Sequence, residues 1–398
     1  VGAFRGNQFG ATFGGPLSFP HVLPKSKAWY IFGYYEGIRF RTPSNVNSLV
    51  PTTAEMGGDF SADPPIYNPY TTTTVPDGSQ VRQQFPNNQI PMGPTNLCAP
   101  QPTCVNASAL TILTEMYPAP NLPAGAVPGS NYVDTEPTVQ DGDQWSARID
   151  HQFGSKDNSY FRYSDSLDTS STQSLPTLPT NSRNRYTNVA VSETHASSAT
   201  LLFTTRFGMQ RINEQSLNGG PGGGIGPVNT LKNSGLLAAF GQFQGNGTNY
   251  DLMPSIDTPG LAGLDTNNQI NGPEYYMQWT EDIQKIVGKH QFAFGGRVMR
   301  TQFFTNTSAT SDIEFSSAQT GNFTGNAGYS LASFLLGLPN GADRVGGDTS
   351  AYMHGNAYSL YLQDMIHLTG KLTVNLGLRW DYASPLINDS GSGTFVWE

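Results

Sequence analysis

LTVNLGLRWDY, the segment Leu372–Tyr382, alternates apolar and polar side chains along its whole length. Five side chains fall on one side of an extended chain, namely Leu372, Val374, Leu376, Leu378 and Trp380. Thr373, Asn375, Arg379 and Asp381 fall on the other side. Because successive side chains of a β-strand point to opposite faces, the pattern predicts a strand with one apolar and one polar face.

The same alternation recurs along the chain in segments that are joined two by two across short turns. The pairs are Gln8–Leu17 with Ala28–Arg41, Gln144–Phe153 with Tyr160–Asp165, Tyr186–His195 with Thr200–Ile212, Tyr275–Val287 with Gln291–Phe303, and Tyr358–Leu368 with Leu372–Tyr382. The turn of the first pair contains Pro20, Pro24 and Lys25. The sequence predicts an all-β, antiparallel up-and-down sheet of about ten strands, most of them long enough to cross a bilayer.

Long connections alternate with these short turns. They are Thr42–Asp143, Ser166–Arg185, Asn213–Pro273 and Thr305–Asn356. Outer-membrane barrels have short periplasmic turns and long extracellular loops, so this asymmetry predicts part of a transmembrane β-barrel. We expect residues 42–143 to form a long extracellular loop, with a helix at Ala107–Tyr117 capped by Asn106 or Ser108. A second short helix or buried segment is predicted at Tyr329–Leu338.

The composition favours the same class of protein. Charged residues make up only 13% and hydrophobic residues 37%, while Gly is abundant at 44 residues, as expected for strands with one wet face and for uncharged loops. The net charge of −9 and the lack of a Lys/Arg run argue against nucleic acid as a partner. Cys98 and Cys104 lie close together in a Pro-rich loop, which predicts a disulfide, with two free thiols as the alternative.

The sequence predicts no catalytic, cofactor or metal site. The six histidines (His21, His151, His195, His290, His354 and His367) are scattered singly, whereas zinc needs three or four convergent ligands. There is no GxSxG motif. Glycoside hydrolysis needs two neighbouring carboxylates, and Glu281 with Asp282 or Asp364 with Asp381 are candidates, but nothing selects them from the other acids.

Charged and amide side chains of the strands are expected to line a lumen, because an Arg or Lys facing lipid at the midplane costs roughly 2–4 kcal/mol. The predicted lumen-facing residues are Arg148, Asp150, Arg206, Gln210, Arg297, Arg379 and Asp381, together with Asp282 and Gln284. Aromatic residues near the strand ends are expected to form girdles at the membrane surfaces. These are Trp29, Tyr30, Tyr34, Tyr35, Tyr275, Tyr276, Trp279, Trp380 and Tyr382.

Nine phrases resemble the sequences of Oar-like TonB-dependent outer-membrane transporters. They are NQFGATFGGPL (Asn7–Leu17), KAWYIFGYYEGIRF (Lys27–Phe40), GDFS (Gly58–Ser61), IYNP (Ile66–Pro69), RQQFPNNQIP (Arg82–Pro91), YPAPN (Tyr117–Asn121), RIDHQFGSKDNSYFRYS (Arg148–Ser164), ASFLLGLP (Ala332–Pro339) and LTVNLGLRWDYASP (Leu372–Pro385). The resemblance spans essentially the whole chain. It implies a carboxypeptidase-regulatory-like domain and a plug ahead of a barrel of roughly 22 strands.

From the resemblance, we expect residues 1–398 to be a partial barrel domain that lacks the plug and the N-terminal domain. The expected location is the outer membrane of a Gram-negative-type bacterium. The expected partners are outer-membrane lipid, an unknown bulky solute, and a TonB complex that acts through an upstream segment. A partial barrel has two unpaired edges, so we expect an open curved sheet or a forced small closure.

The main alternative is a secreted or surface-exposed β-rich binding or adhesion protein. In that protein Leu372, Val374, Leu376 and Leu378 would be buried against other protein. A secreted hydrolase is a more distant alternative, and a passive porin would differ from the transporter only in lacking a plug.

Overall fold

One antiparallel sheet dominates the computed structural model, which describes residues 2–17, 29–123, 125–173, 175, 178–218, 243–245, 248–250, 254–264, 269–307, 312–323, 328–343 and 350–389. Its ten long strands follow one another in chain order. They are β1 (Arg5–Pro16), β2 (Trp29–Thr42), β3 (Thr138–Gln152), β4 (Asp157–Gln173), β5 (Pro179–Ser198), β6 (Leu201–Asn218), β7 (Gln269–Val287), β8 (His290–Thr307), β9 (Ser350–Thr369) and β10 (Leu372–Ala383). The predicted up-and-down sheet is therefore confirmed.

The sheet is open in the part of the chain that the structure describes, because β1 and β10 stand at its two ends and do not pair. A short strand, Ile387–Asn388, adds to β9 beside β10. The predicted turn with Pro20, Pro24 and Lys25 lies outside the described residues. The prediction of a long connection at Ser166–Arg185 was wrong, because β4 continues to Gln173 and β5 already begins at Pro179.

The strand register divides the sheet into two faces of opposite character. One row of directly paired residues, called the apolar row, crosses the sheet from β2 to β10. Its members are Ile31, Ile149, Phe161, Val191, Phe207, Trp279, Val298, Tyr358 and Tyr382. The face that contains it is the apolar face. An apolar row without one charge is what a lipid-facing surface requires.

The adjacent row, one residue along each strand, lies on the opposite face. Its members, called the polar row, are Tyr30, Asp150, Tyr160, Ser192, Arg206, Thr280, Arg297, Ser359 and Asp381. The face that contains it is the polar face. Because the side-chain period of a strand is two, every residue an even number of positions away lies on the same face.

No second sheet covers the apolar face in the described part of the chain. The side chains of Leu360, Leu376 and Leu378 are 59%, 58% and 76% exposed. The alternative of a protein with apolar strand faces packed on each other required Leu372, Val374, Leu376 and Leu378 to be buried, and Leu372 is also 51% exposed. Their exposure removes the main structural support for that alternative.

The hydrophobic core lies in the long connections instead of the sheet. The described residues of 43–137, 254–264 and 312–343 pack together into one unit, called the loop cap. Its buried members include Phe60, Ile66, Phe85, Ile90, Leu113, Met116, Ile256, Leu264, Ile313, Phe315, Leu331 and Phe334. Leu175 and Leu178, from the connection between β4 and β5, join the same core. The connections therefore form a folded body and not separate loops.

Three short helices order the loop cap: α1 (Thr53–Met56), α2 (Ala107–Met116) and α3 (Ser330–Leu335). The predicted helix at Ala107–Tyr117 is confirmed as α2, and the Asn106 side chain caps it by accepting from the Ala109 amide at 3.1 Å. All residues of α3 are buried, which agrees with the predicted buried segment. In the described residues, no helix is long and apolar enough to cross a membrane.

Shorter elements complete the described structure. The 3-10 helices are Pro69–Thr71, Pro86–Asn88 and Ser317–Thr320. The short strands pair as Val46–Ser48 with Tyr132–Asp134, Thr73–Thr74 with Gln80–Val81, Phe243–Gly245 with Thr248–Tyr250, and Asp312–Glu314 with both Ser255–Asp257 and Gly341–Ala342.

Candidate functional site

The predicted lumen-facing residues all lie on the polar face. Asp150, Arg206, Arg297 and Asp381 belong to the polar row itself. The other three, Arg148, Gln210 and Arg379, lie an even number of residues from a member of that row on the same strand. A period of two along each strand and direct pairing between strands thus bring seven residues from four strands to one surface.

Ion pairs between alternate residues of one strand hold two of these arginines in place. The Arg148 Nη2 atom lies 2.6 Å from Asp150 Oδ1, and its guanidinium stacks over the Tyr160 ring at 3.9 Å. Arg379 Nε lies 2.7 Å from Asp381 Oδ2. Each arginine and its acidic partner lie on the polar face, so the positive charges of Arg148 and Arg379 are balanced by neighbouring carboxylates.

Contacts across strands fix the remaining two arginines. Arg206 donates from Nη1 to Asp282 Oδ2, and Tyr361 donates from its hydroxyl to Asp282 Oδ1 at 2.7 Å. The Arg297 Nη2 group donates to Ser359 Oγ at 3.4 Å. These contacts link β6, β7, β8 and β9 to one another across the polar face.

A cavity of about 300 Å³ opens beside Gln210. Its lining includes Arg162, Asn188, Gln210, Tyr276, Gln278 and Met299. Amide groups can donate and accept hydrogen bonds, a guanidinium only donates, and an aromatic ring offers a flat apolar surface. The cavity therefore suits a polar solute group that also carries some apolar area.

Sequence reasoning missed several members of the polar face. Arg162 alternates with Phe161 and Tyr163, and that local pattern was sufficient to find it. Glu36, which accepts from Gln8 and from Gln144 Nε2, the latter at 2.8 Å, was harder to find. Its strand β2 carries aromatic residues on both faces, so the alternation there does not distinguish one face from the other.

The acid pairs considered for hydrolysis do not converge. The register places Glu281 on the apolar face and Asp282 on the polar face, and it separates Asp364 from Asp381 in the same way. Among the residues that the structure describes, no group of three His, Cys, Asp or Glu side chains could hold a metal ion.

The aromatic-girdle prediction was wrong for several residues. Tyr30, Tyr34 and Tyr276 lie on the polar face, and Trp279 lies in the apolar row near the middle of β7. Another row of the apolar face, toward the long connections, does contain Tyr35, Trp145 and Tyr275.

Five of the nine phrases that resemble the Oar-like family lie inside the loop cap, where they contribute to its core, and the other four lie in the sheet. Phe60 of GDFS and Ile66 of IYNP are fully buried. The Asn68 side chain of IYNP accepts from the Tyr70 amide at 3.0 Å and donates to the Leu97 carbonyl at 2.6 Å. These phrases, which are separate in the chain, thus contact one another or their neighbours within one folded unit.

Asn88 in the phrase RQQFPNNQIP organises the turn that precedes Ile66. Its backbone has φ +58°, a left-handed conformation that Asn tolerates better than most residues. Its Oδ1 accepts from the Ile66 amide at 2.7 Å, while Nδ2 donates to the carbonyls of Phe60 and Pro64, the latter at 3.2 Å. One buried amide therefore satisfies the polar backbone of a whole turn.

Arg82 joins two separate connections of the loop cap. Its Nη1 group donates to the carbonyls of Ala318, Gln319 and Gly321 at 3.1, 2.9 and 2.9 Å. The guanidinium also stacks over Phe323 at 4.3 Å. These carbonyls belong to the end of the 3-10 helix Ser317–Thr320, where a cation is favourable.

Further covalent and polar links close the loop cap. Cys98 and Cys104 form a disulfide that is buried in the core. Tyr329 donates from its hydroxyl to Glu55 Oε1 at 3.0 Å, and Tyr117 donates to the Ala262 carbonyl at 2.7 Å. Burial raises the pKa of both phenols above the ordinary value.

Two cavities lie in the loop cap. One of about 210 Å³ is mainly apolar and is lined by Ile112, Ile256, Phe315 and Phe334 among others. Another of about 410 Å³ lies where Gly58 approaches Ile90.

A family of known proteins matches the chain over nearly its whole length: the profile described as "Outer membrane beta barrel domain" covers residues 1–397. Among solved structures, the chain is similar to the outer membrane transporter YddB from Escherichia coli, with a TM-score of 0.47, 10% identity, and coverage of 97% of this chain and 35% of that chain. It is also similar to a mutant of the ferric enterobactin receptor PfeA from Pseudomonas aeruginosa, with a TM-score of 0.40, 10% identity, and coverage of 95% and 37%. The chain thus spans about a third of the length of either structure. A search of curated proteins found no match.

Proposed function

This chain belongs to the outer membrane beta barrel domain family, and from that premise we propose that it forms part of the wall of a TonB-dependent transporter of the Oar-like type. Its place is the outer membrane, where the apolar face contacts lipid. The transporter imports a bulky solute, and a TonB complex energises it through another segment of the parent protein. The chain serves as wall and entrance and not as an enzyme.

The observation that carries the proposal is the common face of the seven predicted residues. Charges on the strands are expensive in lipid but not in an aqueous lumen. The polar face carries the ion pairs Arg148–Asp150, Arg206–Asp282 and Arg379–Asp381, whereas the charges of the apolar face lie on either side of the apolar row and none lies in it. The polar face is therefore the side along which a polar solute passes.

The cavity beside Gln210 supports solute contact on that path. Gln210 and Gln278 provide amides and Tyr276 provides a ring at the same opening. Weak contacts of this kind suit a passage, because a solute must bind and then leave.

The loop cap supports the idea of a specific entrance. Its connections share one hydrophobic core, so they hold a fixed surface over the strand ends that carry the long connections. We propose that residues 42–143 supply most of the extracellular surface that captures the solute.

Single cysteines at neighbouring positions of β6 test the proposed lumen. The two native cysteines are joined in a disulfide, so an introduced thiol is the reactive one. In cells that carry the chain in the outer membrane, we expect a membrane-impermeant maleimide to label Gln210→Cys. Met209→Cys, on the apolar face, is the matched control and should remain unlabelled because lipid covers it.

Two further outcomes decide between transport modes. Labelling of Gln210→Cys that changes when the proton-motive force is collapsed supports TonB-dependent gating. Labelling that is indifferent to the proton-motive force supports a passive pore. If Met209→Cys reacts and Gln210→Cys does not, the assignment of the two faces is reversed and the proposed path is lost.

A further inference from the structure

The arginines of the apolar face all lie on one side of the apolar row, toward the long connections. They are Arg5, Arg39, Arg41, Arg183, Arg185, Arg211 and Arg300, and we call them the arginine belt. They come from β1, β2, β5, β6 and β8. No arginine of the described apolar face lies on the turn side of that row.

The acids of the same face are distributed in the opposite way. On the side of the long connections only Asp141, Asp143 and Asp165 accompany the seven arginines, which gives a net charge of +4. On the turn side the strands carry Asp157, Glu193, Glu281 and Asp364 against one cation, Lys285, which gives −3. The belt is thus strongly positive in a chain whose net charge is −9.

Hydration of charged groups at the membrane boundary does not explain why the positive and negative side chains lie on opposite sides of the apolar row. A long side chain can reach water from the edge of the apolar band, but a carboxylate at that depth is hydrated equally well. An excess of one sign indicates an anionic neighbour. The choice of arginine over lysine narrows the chemistry, because a guanidinium binds phosphate through two parallel hydrogen bonds.

Contacts within the belt hold the guanidinium groups at the surface without neutralising all of them. Arg39 Nη2 lies 2.8 Å from Asp143 Oδ1, and Arg185 Nε lies 3.2 Å from Asp165 Oδ2. Arg211 donates from Nε to the Tyr275 hydroxyl at 3.3 Å. Arg211 and Tyr275 both lie in the row of Tyr35 and Trp145, so the belt reaches the level of these aromatic rings.

We propose that the arginine belt binds the phosphate groups of lipid headgroups in the outer leaflet of the outer membrane. The long connections of such barrels are extracellular, which places the belt at the level of those headgroups. The opposite sign on the turn side leaves the periplasmic leaflet without an equivalent site. This inference requires only the outer-membrane location and goes beyond the proposed transport.

Lipid A with and without its phosphates provides the test. The chain is reconstituted in phosphatidylcholine vesicles that contain diphosphoryl lipid A or the dephosphorylated lipid, and lipid that copurifies is quantified by mass spectrometry. We expect a clear preference for the diphosphoryl form, which weakens as salt rises. In Arg183→Gln/Arg211→Gln, the apparent affinity for diphosphoryl lipid A should fall about thirtyfold, since two cations are removed and each cation near a charged surface is worth about 1 kcal/mol.

The matched control removes two arginines from the polar face. Arg162→Gln/Arg297→Gln should bind diphosphoryl lipid A as the parent chain does. The proposal is overturned if the parent chain does not distinguish the two lipids, a comparison that needs no variant to fold. It is equally overturned if both double variants lose the same amount of binding, because total charge and not the belt would then be responsible.

Discussion

For single residues, the sequence predicts most directly the face of the sheet on which a side chain lies. Arg148, Asp150 and Arg379 were assigned to the polar face from alternation alone, because the period of two is a local property of the strand. Glu36 was missed because its neighbours on both faces are aromatic. The polar contacts of Asn88 and Arg82 could not be predicted, since each depends on residues that are distant in sequence or on an unusual backbone conformation.

Asp63 of the loop cap gives a prediction about pH. Burial of its carboxyl group, with repulsion from Glu55 and Asp59, raises the pKa of Asp63 to about 6. A carboxyl group whose pKa is higher in the folded than in the unfolded chain makes folding less favourable as pH rises between the two values. Asp63→Asn should therefore stabilise the loop cap at neutral pH and have little effect near about pH 4. The measurement is the protease resistance of the loop cap in Asp63→Asn and in the parent chain, compared at the two pH values.

Asp77 is the matched control for that experiment, because its pKa is shifted the other way. Hydrogen bonds from the Ser79 hydroxyl and amide, at 2.7 and 2.9 Å, lower the pKa of Asp77. Asp77→Asn should weaken the loop cap at neutral pH. An effect of Asp63→Asn that is equal at both pH values would show that packing, and not ionisation, is responsible.

Strand length was underestimated at the scale of the element, and the reason is physical. β4 was predicted to end at Asp165 but continues to Gln173, paired with β5 through Asp168 and Asn184 among others. Alternation needs one apolar and one polar face. From Ser166 to Gln173 nearly all side chains on both faces are polar, so the backbone pairing continues without leaving a pattern in the sequence.

Charge placement on the two faces gives a prediction at the same scale. Val298→Arg puts a guanidinium into the apolar row and should reduce the free energy of unfolding from lipid vesicles by roughly 2–4 kcal/mol. Gln278→Arg puts a guanidinium on the polar face of the adjacent strand. It should change the free energy of unfolding far less. Denaturant titrations of both variants in vesicles measure the difference. Equal losses in the two variants would contradict the assignment of the faces.

The shared core of the loop cap was not predictable at the scale of the whole molecule. The sequence indicated helices at Ala107–Tyr117 and Tyr329–Leu338 but could not show that they meet, because α2 and α3 are separated by six strands of the sheet. The resemblance to the Oar-like family gives the order of the matching phrases along the chain, but it does not show which of them contact each other. The structure shows that residues from four connections share one core with Leu113 and Phe334.

Phe334→Ala tests whether the loop cap and the sheet are separate units of stability. Removal of a buried phenylalanine ring costs about 3–5 kcal/mol, and Phe334 is 1% exposed. We expect the loop cap to become sensitive to protease while the strands keep their resistance in lipid. Leu97→Ala, which alters a side chain that is 41% exposed, is the control and should change little. Loss of the strands together with the loop cap would show a single cooperative unit.

The hydrogen bond from Tyr329 to Glu55 joins residues that are 274 positions apart. The strands pair with their immediate neighbours in the chain, so the sheet can grow one hairpin at a time. The bond between Tyr329 and Glu55 has to wait, because a contact of such high order becomes accessible only after the intervening chain is in place. Closure of the loop cap is therefore expected late in assembly, after β3 to β8, the strands between these two residues, have paired.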